Sequence, residues 1–349
     1  MTRATAEQVR TARGCMLGLV VGDAVGTAGG ALSVDGPLIG TSAGQLVCFT
    51  VEGVIRAHVR ISHRGICHPP SVVWHAYHRW AVMQGIPGIK EWHAFADVPW
   101  PDGWLAQVSA LAIRRGSAPA TVSALQSGRL GTVEEPSGAS IGAHALTRTL
   151  PTGLIKWWLS EPEKLAMEIA ALTHAPAAAG VAALGATIVA NLANGHEVGE
   201  AVRSSLRDCQ TLLNHDANSV LASALAASNE RSPDASALAG LAPKATALAS
   251  LAGATYVAAS FPEPGQIRDA LLFAASVPHG KHIAAAAGAL LGSAHGVDAL
   301  PTDWISRLEL GWVADTLARD MISEFADSPS GGEYTLASDS NWMSRYPGW

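Results

Sequence analysis

The amino-acid sequence predicts an all-α fold arranged as one domain over residues 1–349. Alanine is abundant, and the alternation of β-branched and polar residues that marks strands is rare, so most long segments favour helix. Of the 349 residues, 48% are hydrophobic and only 15% are charged, which indicates a sizeable core. The sequence also has no long low-complexity linker at which the chain would divide.

The first helix is marked by its own start signal. Thr5-Ala6-Glu7-Gln8 fits a capping box, which predicts a helix from there to about residue 25. Further helices are predicted over residues 47–61, 70–84, 104–115, 161–172, 176–193, 197–213, 218–229, 235–260 and 264–276. Loops rich in Gly, Pro and Trp fill residues 85–103 and 128–140. Residues 325–349 turn polar and then end in an aromatic tail, which we expect to dock back onto the bundle.

Two stripes of small residues at four-residue spacing predict a close pair of helices. The first stripe consists of Gly14, Gly18, Gly22 and Gly26. The second consists of Ala284, Gly288, Gly292 and Gly296. Four-residue spacing places each stripe on one helix face, and a helical glycine costs about 1 kcal/mol relative to alanine, so close backbone approach is the expected reason. Asp23, near the end of the first helix, is a candidate pocket residue.

Composition excludes several classes of protein. The net charge is −6 and no basic stripe is visible, which argues against nucleic-acid binding. Four cysteines without Cys-x-x-Cys spacing argue against a zinc ribbon or a disulfide scaffold and suit a reducing cytoplasm. The N-terminus has no apolar signal core, and the apolar residues 176–193 are Ala-rich with Pro and Gly. We therefore expect a cytoplasmic protein in which this stretch is a buried helix rather than a membrane span.

Cationic residues stand at the start of the second small-residue helix. His279, Lys281 and His282 occur there, with no carboxylate nearby in the sequence. A helix N-terminus already carries partial positive charge, so these groups either face water or hold an anion. A metal site is disfavoured because the ammonium of Lys281 would repel the ion. The sequence alone supports two interpretations of this segment equally, an exposed polar loop and an anion-binding site.

Other motifs are weak. His75 and His78 lie three residues apart, but aromatic neighbours favour ordinary packing over metal chelation. The Asp-x-Asp and His-Glu-x-x-His motifs are absent from the sequence, and the adjacent Glu134 and Glu135 precede Pro136 in what looks like a solvated loop. Residues for glycosidase-style acid–base pairs and for dinuclear metal chemistry are therefore not evident. The Gly-rich segments GLVVGDAVG and SGRLG lack the context of a phosphate-binding loop.

Eight segments carry information as an ordered set. They are GCMLGLVVGDAVG at 14–26, FTVEGVIRA at 49–57, WHAYHRW at 74–80, DGWL at 102–105, SGASIGAHALTRTLPTGL at 137–154, LTHAP at 172–176, AGALLGSAHGVDALPTDW at 287–304 and RYPGW at 345–349. Together they resemble the ADP-ribosylglycohydrolase family, the type that includes dinitrogenase reductase-activating glycohydrolase. The resemblance implies an all-α orthogonal bundle whose central cleft binds ADP-ribose, with two magnesium ions that activate water for cleavage of the bond to the modified residue.

The sequence departs from the family pattern where the family holds its metals. The family's Thr-Asp-Asp-Thr cluster is Thr41-Ser42-Ala43-Gly44 here, and its second acidic cluster is Pro278-His279-Gly280-Lys281-His282. A further acid of the family corresponds to Gly30. The resemblance therefore places lost magnesium ligands at Ser42, Ala43, His279 and Lys281. Because hard-cation affinity depends on carboxylate count, we expect no metal cofactor.

The side of the cleft that approaches the ribose is better preserved. Ser140, Gly142 and Arg148 keep the family pattern, whereas Ile141 and His144 replace a Lys and a Gly that are common there. The predicted ligand-binding set is Asp23, Ser140, Gly142, His144, Arg148, His279, Lys281 and His282.

Three hypotheses about function follow from these observations. The first is a metal-free pseudoenzyme that binds an ADP-ribose-like or other small anion, with an ADP-ribosylated protein as a further candidate partner. The second is an enzyme with altered chemistry, in which His279 or His282 acts as general acid or base and Lys281 steadies a developing anion. The third is an interaction protein, suggested by the 11 tryptophans. Oligomeric state is open, although a monomer suits the fold.

Overall fold

The fold is helical throughout the part of the chain that the structure describes. The structure is a computed structural model that describes residues 3–29, 32, 35–90, 100–213, 215–230 and 232–348. Its α-helices are α1 (Ala6–Ala28), α2 (Ser42–Arg64), α3 (Pro69–Met83), α4 (Ser109–Ala112), α5 (Pro119–Ser127), α6 (His144–Thr147), α7 (Pro162–Ala171), α8 (Pro176–Ala193), α9 (Val198–Asp208), α10 (His215–Ala227), α11 (Ala235–Leu241), α12 (Ala247–Ser260), α13 (Ile267–Ala275), α14 (Gly280–His295), α15 (Thr302–Ile305), α16 (Gly311–Asp327) and α17 (Trp342–Arg345). Short 3-10 helices occupy Trp104–Gln107, Leu150–Trp157, Pro264–Gln266 and Val297–Ala299. Within these residues β-structure is limited to isolated bridges, so the predicted all-α class is confirmed.

Among the described elements, helices α1 and α14 share the most extensive contact, as the two stripes predict. A Cβ built on Gly18 would lie 2.1 Å from the carbonyl oxygen of Gly288, and one on Gly14 would lie 2.1 Å from that of Gly292. Such distances leave no room for any side chain at these positions. The predicted packing is therefore confirmed, and it includes Gly296, which ends α14 with a φ of 75° and whose backbone carbon lies 2.7 Å from the position of a Cβ on Gly14.

The starts of α1 and α2 follow from their caps. The Thr5 hydroxyl accepts from the amide of Gln8 at 3.1 Å and the Gln8 side chain accepts from the Thr5 amide at 3.0 Å, so the predicted capping box is present. The helix continues to Ala28, three residues beyond the predicted end. Helix α2 begins at Ser42, earlier than the predicted residue 47, because the Thr41 hydroxyl caps the amide of Ala43 at 3.1 Å.

Several predicted helices are shorter or divided. The predicted helix 104–115 is a 3-10 turn followed by the four-residue α4. The predicted helix 235–260 breaks between α11 and α12, where Pro243 cannot supply an amide and Thr246 caps the second part. Helices α5 and α16 were not predicted. Part of the predicted loop 85–103 lies outside the described residues.

The C-terminal region differs from expectation at its start. Helix α16 continues through Asp327, so the polar loop begins at Ser328 rather than residue 325. Beyond the loop, Trp342 and Tyr346 are buried. The Tyr346 hydroxyl donates to Asp320 Oδ2 at 2.5 Å, which attaches the tail to α16; Trp349 lies outside the described residues.

Helix α8 is apolar because it lies in the core. By length and composition it could cross a membrane, but 78% of its residues are buried inside the protein. Side chains from α8 join one continuous hydrophobic cluster that also includes α1, α2, α12 and α14. Burial against other helices accounts for its composition.

Candidate functional site

The predicted anion site lies at the N-terminus of α14, but its three residues differ in placement. His279 precedes the helix in a left-handed conformation with φ of 63°, and both His279 and Lys281 are exposed. Gly280 between them has no room for a side chain, since a Cβ there would lie 2.4 Å from the carbonyl oxygen of Ala274. His282 is partly buried, and its ring meets that of His144 edge-on with centroids 5.7 Å apart. The site therefore consists of an inward imidazole pair and an outward Lys281.

The rings of His144 and His282 are uncharged at neutral pH. Burial, followed by the fields of His282 and Arg148, lowers the pKa of His144 to about 3. Burial, followed by the field of Lys281, lowers the pKa of His282 to about 4. These two rings act as neutral hydrogen-bonding groups, and the positive charge comes from Lys281 and the helix N-terminus.

His174 is a residue of this site that the sequence analysis did not select. It is buried, and the pKa of its ring lies well below the usual value because of burial and then Arg148. Arg148 Nη2 donates to Thr173 Oγ1 at 2.6 Å, and the same hydroxyl shares a hydrogen bond with His174 Nδ1 at 2.7 Å. In the tautomer in which Thr173 donates to Nδ1, the neutral ring carries its proton on Nε2. His174 belongs to LTHAP, one of the segments that resemble the family, but only the folded structure shows which residues surround it.

The Ser140–Gly142 segment lies beside His174. A Cβ on Gly142 would lie 3.3 Å from Ser140 Oγ and 3.6 Å from His174 Nε2, so a glycine lets the ring approach the backbone. The segment is held on the start of α12, where the amide of Ala247 donates to the carbonyl of Ile141 at 2.9 Å. Five residues of the candidate site therefore lie close together: Ser140, Gly142, His144, His174 and His282.

Arg148 was predicted to contact a ligand, but its side chain lies in the core beneath this surface. Its side chain has no solvent exposure. The guanidinium lies over the Tyr77 ring, 4.6 Å from the centroid, and donates to Thr121 Oγ1 at 3.1 Å. All these contacts are internal, so Arg148 supports the site by orienting Thr173 and His174.

The carboxylate of Asp23 is also hydrogen-bonded within the fold. Its carboxylate accepts from the Thr41 amide at 2.6 Å, the Thr41 hydroxyl at 2.7 Å and the Gly44 amide at 3.1 Å. Burial raises its pKa, while these hydrogen bonds and the field of Lys281 oppose the rise. Asp23 therefore joins α1 to the positive end of α2 and lies within the electrostatic reach of Lys281.

The residues present do not fit two magnesium ions. Ser42 and Ala43 are buried at the start of α2, where the Ser42 amide donates to the carbonyl of Arg115 at 3.2 Å. Arg115 also forms an ion pair with Glu309, which holds the segment around Arg115 beside the start of α2. Among the described residues, groups of three or more His, Cys, Asp or Glu side chains placed to hold a metal ion are absent. The position corresponding to the family's further acid, Gly30, lies outside those residues.

Comparisons with known proteins agree with the fold. A family model described as ADP-ribosylglycohydrolase matches residues 4–331. A solved structure described as an "ADP-ribosylglycohydrolase-related protein complex" has a TM-score of 0.65 and 19% sequence identity, covering 91% of this chain and 99% of that chain. At this identity the structural likeness shows the fold alone. The curated proteins include no match. Because the family model spans nearly the whole chain, the chain belongs to the ADP-ribosylglycohydrolase family.

Proposed function

We propose that this chain is a metal-free family member that binds an ADP-ribose-like or other small anionic ligand where its relatives hold metals and substrate. The observation that carries the proposal is the replacement of the expected carboxylates by Ser42, Ala43, His279 and Lys281. The remaining acid, Asp23, has its oxygens occupied by the start of α2. A site without free carboxylates repels a dication and accepts an anion.

The proposed site offers several complementary donors. The exposed ammonium of Lys281 and the dipole of the 16-residue α14 supply positive potential, while the amides of Gly280 and His282 already donate to the carbonyls of Val277 and His279. His174 Nε2–H supplies a neutral donor beside Ser140 and Gly142. Neutral imidazoles avoid the repulsion that several clustered imidazolium ions would cause, so the site tolerates its own histidines without a ligand.

The alternative in which His282 is a general acid is less well supported. With a pKa of about 4, His282 is a neutral imidazole rather than an imidazolium at neutral pH, so it is a poor general acid and a weak base. An interaction protein remains the other alternative; its main observation is exposed aromatic surface such as Trp312, which is 57% exposed. Cytoplasmic location, a monomeric state and an ADP-ribosylated protein partner stay predictions.

Calorimetric titration with ADP-ribose tests the proposal. We expect binding of equal affinity with magnesium and with a chelator, and no release of ADP-ribose from a modified protein. Lys281→Ala should weaken binding about tenfold, equivalent to about 1.4 kcal/mol. The matched control is Lys164→Ala, because Lys164 is an exposed lysine on α7 whose contacts are with its own helix region.

Three results would contradict the proposal. Binding that requires magnesium would mean that a metal site exists. Robust magnesium-dependent turnover would mean that catalysis survives. Equal losses in Lys281→Ala and Lys164→Ala would mean that the α14 N-terminus does not hold the ligand.

A further inference from the structure

Two imidazoles meet at the proposed anion site from separate helices. His144 is the first residue of α6, and His282 lies in the first turn of α14. The rings of this imidazole pair are partly exposed and meet edge-on, with centroids 5.7 Å apart. Within the part of the chain that the structure describes, neither ring makes a hydrogen bond, so the ring nitrogens are available to a ligand.

The groups that act on the imidazole pair carry positive charge or none. Lys281, beside His282 on α14, acts on both rings. Arg148 acts on His144 from the residue after α6, and His279 acts on His282 from the residue before α14. Among the described residues, no carboxylate acts on either ring. The pair therefore lacks the negative charge that would stabilise an imidazolium.

His174 and Asp23 are the other titratable groups around the pair. His174, in the segment before α8, is 1% exposed and lies in the field of His144. Its Nδ1 shares a hydrogen bond with Thr173, whereas its Nε2 makes none to the described residues. Asp23, on α1, acts on Lys281, but its carboxylate oxygens already accept hydrogen bonds from the start of α2. The local charge therefore stays positive, and an almost fully buried imidazole keeps a nitrogen that a ligand would satisfy.

An anion bound beside Lys281 would reverse this balance of charge. Its negative charge would offset the repulsion from the ammonium, and a protonated ring would donate to it in a charge-assisted hydrogen bond. We propose that the imidazole pair takes up one proton when the site binds its anion, so that anion affinity rises as pH falls below neutrality. The proton comes from the buffer and forms one N–H bond, and the anion itself is unchanged. This inference rests on the proposed function and adds its regulation by pH.

The size of the effect follows from the pKa values of the pair. In the unliganded chain the pKa is about 3 for His144 and about 4 for His282, so neither ring is an imidazolium at about pH 5.5. An anion that restores the ordinary pKa of about 6.5 to one ring would protonate it almost fully at about pH 5.5 and only slightly at about pH 7.5. We therefore expect uptake of about one proton per anion at the lower pH, and about tenfold tighter binding than at the higher pH.

Calorimetric titration of the full chain with ADP-ribose and with sulfate tests this coupling, because both probes keep the same charge at the two pH values. Heats measured in two buffers of different ionisation enthalpy give the number of protons taken up. The double variant His144→Gln/His282→Gln keeps polar side chains at both positions but removes the titrating rings, so its binding should show neither proton uptake nor the dependence on pH. His68→Gln is the matched control, because His68 is exposed and lies outside the site.

The proposal is overturned by binding without proton uptake, by equal affinity at the two pH values, or by a double variant that takes up protons as the native chain does. Thermal melting at both pH values establishes that each variant is folded. Failure of both probes to bind at either pH would overturn the proposed function as well, so a failure of the proton coupling alone is distinguishable.

Discussion

At the scale of single residues, Arg148 illustrates how a charged group can be buried without a carboxylate. Its hydrogen bonds go to Thr121, Thr173 and the carbonyl of Ile169, and its face rests on the Tyr77 ring. A planar guanidinium can satisfy these differently directed acceptors, whereas the compact ammonium of lysine cannot. The same residue donates to Thr173, whose hydroxyl is hydrogen-bonded to His174.

We therefore expect Arg148→Met to destabilise the protein by about 3 kcal/mol, because it leaves buried acceptors without donors. Urea unfolding measures the change. Arg114→Met, at an exposed position, should stay within about 0.5 kcal/mol of the native chain. Equal stability of the two variants would show that the buried hydrogen bonds of Arg148 contribute nothing.

At the scale of helices, the contact of α1 with α14 fixes the position of the candidate site. The Gly26 end of α1 packs on Lys281, where a Cβ on Gly26 would lie 2.4 Å from the Lys281 Cα. Asp23, one turn earlier, caps α2. The glycine stripe thus brings the N-termini of α2 and α14 towards the same end of α1.

Replacement of Gly18 by alanine should disrupt this contact. The new methyl group would meet the backbone of Gly288, which cannot rotate away, so we expect a loss of several kcal/mol or failure to fold. Gly240→Ala in α11 is the matched control, because a Cβ there meets nothing within 4 Å. It should stabilise the protein by about 0.5–1 kcal/mol. Chemical denaturation of both proteins provides the comparison, and tolerance of Gly18→Ala would refute the packing argument.

At the scale of the whole molecule, the C-terminal tail closes a buried ion network. Arg56 Nε donates to the carbonyl of Pro347 at 2.7 Å, and its guanidinium contacts Glu52 at 2.9 Å and Asp102 at 2.5 Å. Charges buried at this depth need every partner to offset lost hydration. The tail therefore contributes to stability from a distance of almost 300 residues in sequence.

Tyr346→Ala should cost about 3–5 kcal/mol, since a fully buried aromatic ring and its bond to Asp320 are lost. Tyr334→Ala should cost less than about 0.5 kcal/mol, because Tyr334 is 91% exposed. Thermal unfolding of the two variants measures the difference. Similar melting temperatures would mean that the tail is not part of the folded core.

Stability should also depend on pH through the buried imidazoles. The pKa of His144 is lowered to about 3, and those of His75 and His282 to about 4, so the unfolded chain binds their protons at higher pH than the folded chain does. This contribution is fully present above about pH 6.5 and is lost as pH falls towards those values. The pKa values of Asp23 and Asp320 are raised in the folded chain, so the contribution of these two carboxyl groups to stability falls as pH rises.

Urea unfolding at a series of pH values between about 7 and 5 measures this dependence, whose slope approaches about 1.4 kcal/mol per pH unit for each histidine. His144→Gln should reduce the slope. His68→Gln should not, because His68 is exposed. Unchanged slope in His144→Gln would mean that this ring is not buried as a neutral group.

Much of the fold followed from the sequence alone. The capping box at Thr5 and Gln8 located the first helix, and the glycine spacing predicted the contact of α1 with α14, because both are local or periodic signals. The resemblance to the family implies that Ser42, Ala43, His279 and Lys281 stand where the family has carboxylates, and this correspondence stays a prediction. Pro243 could have predicted the break between α11 and α12, but the sequence analysis did not use it. Helix α16 was not predicted because its start has no strong capping signal.

Only the tertiary structure decided which polar residues face one another. Asp23 and Arg148 were predicted to bind ligand, but their polar atoms are used within the core by Thr41, Gly44, Thr121 and Thr173. His174 joins the site through contacts across the fold, and His144 meets His282 from a distant helix. Burial and charge–charge distance set the protonation of these rings, and both depend on how separate helices pack, which no local pattern encodes.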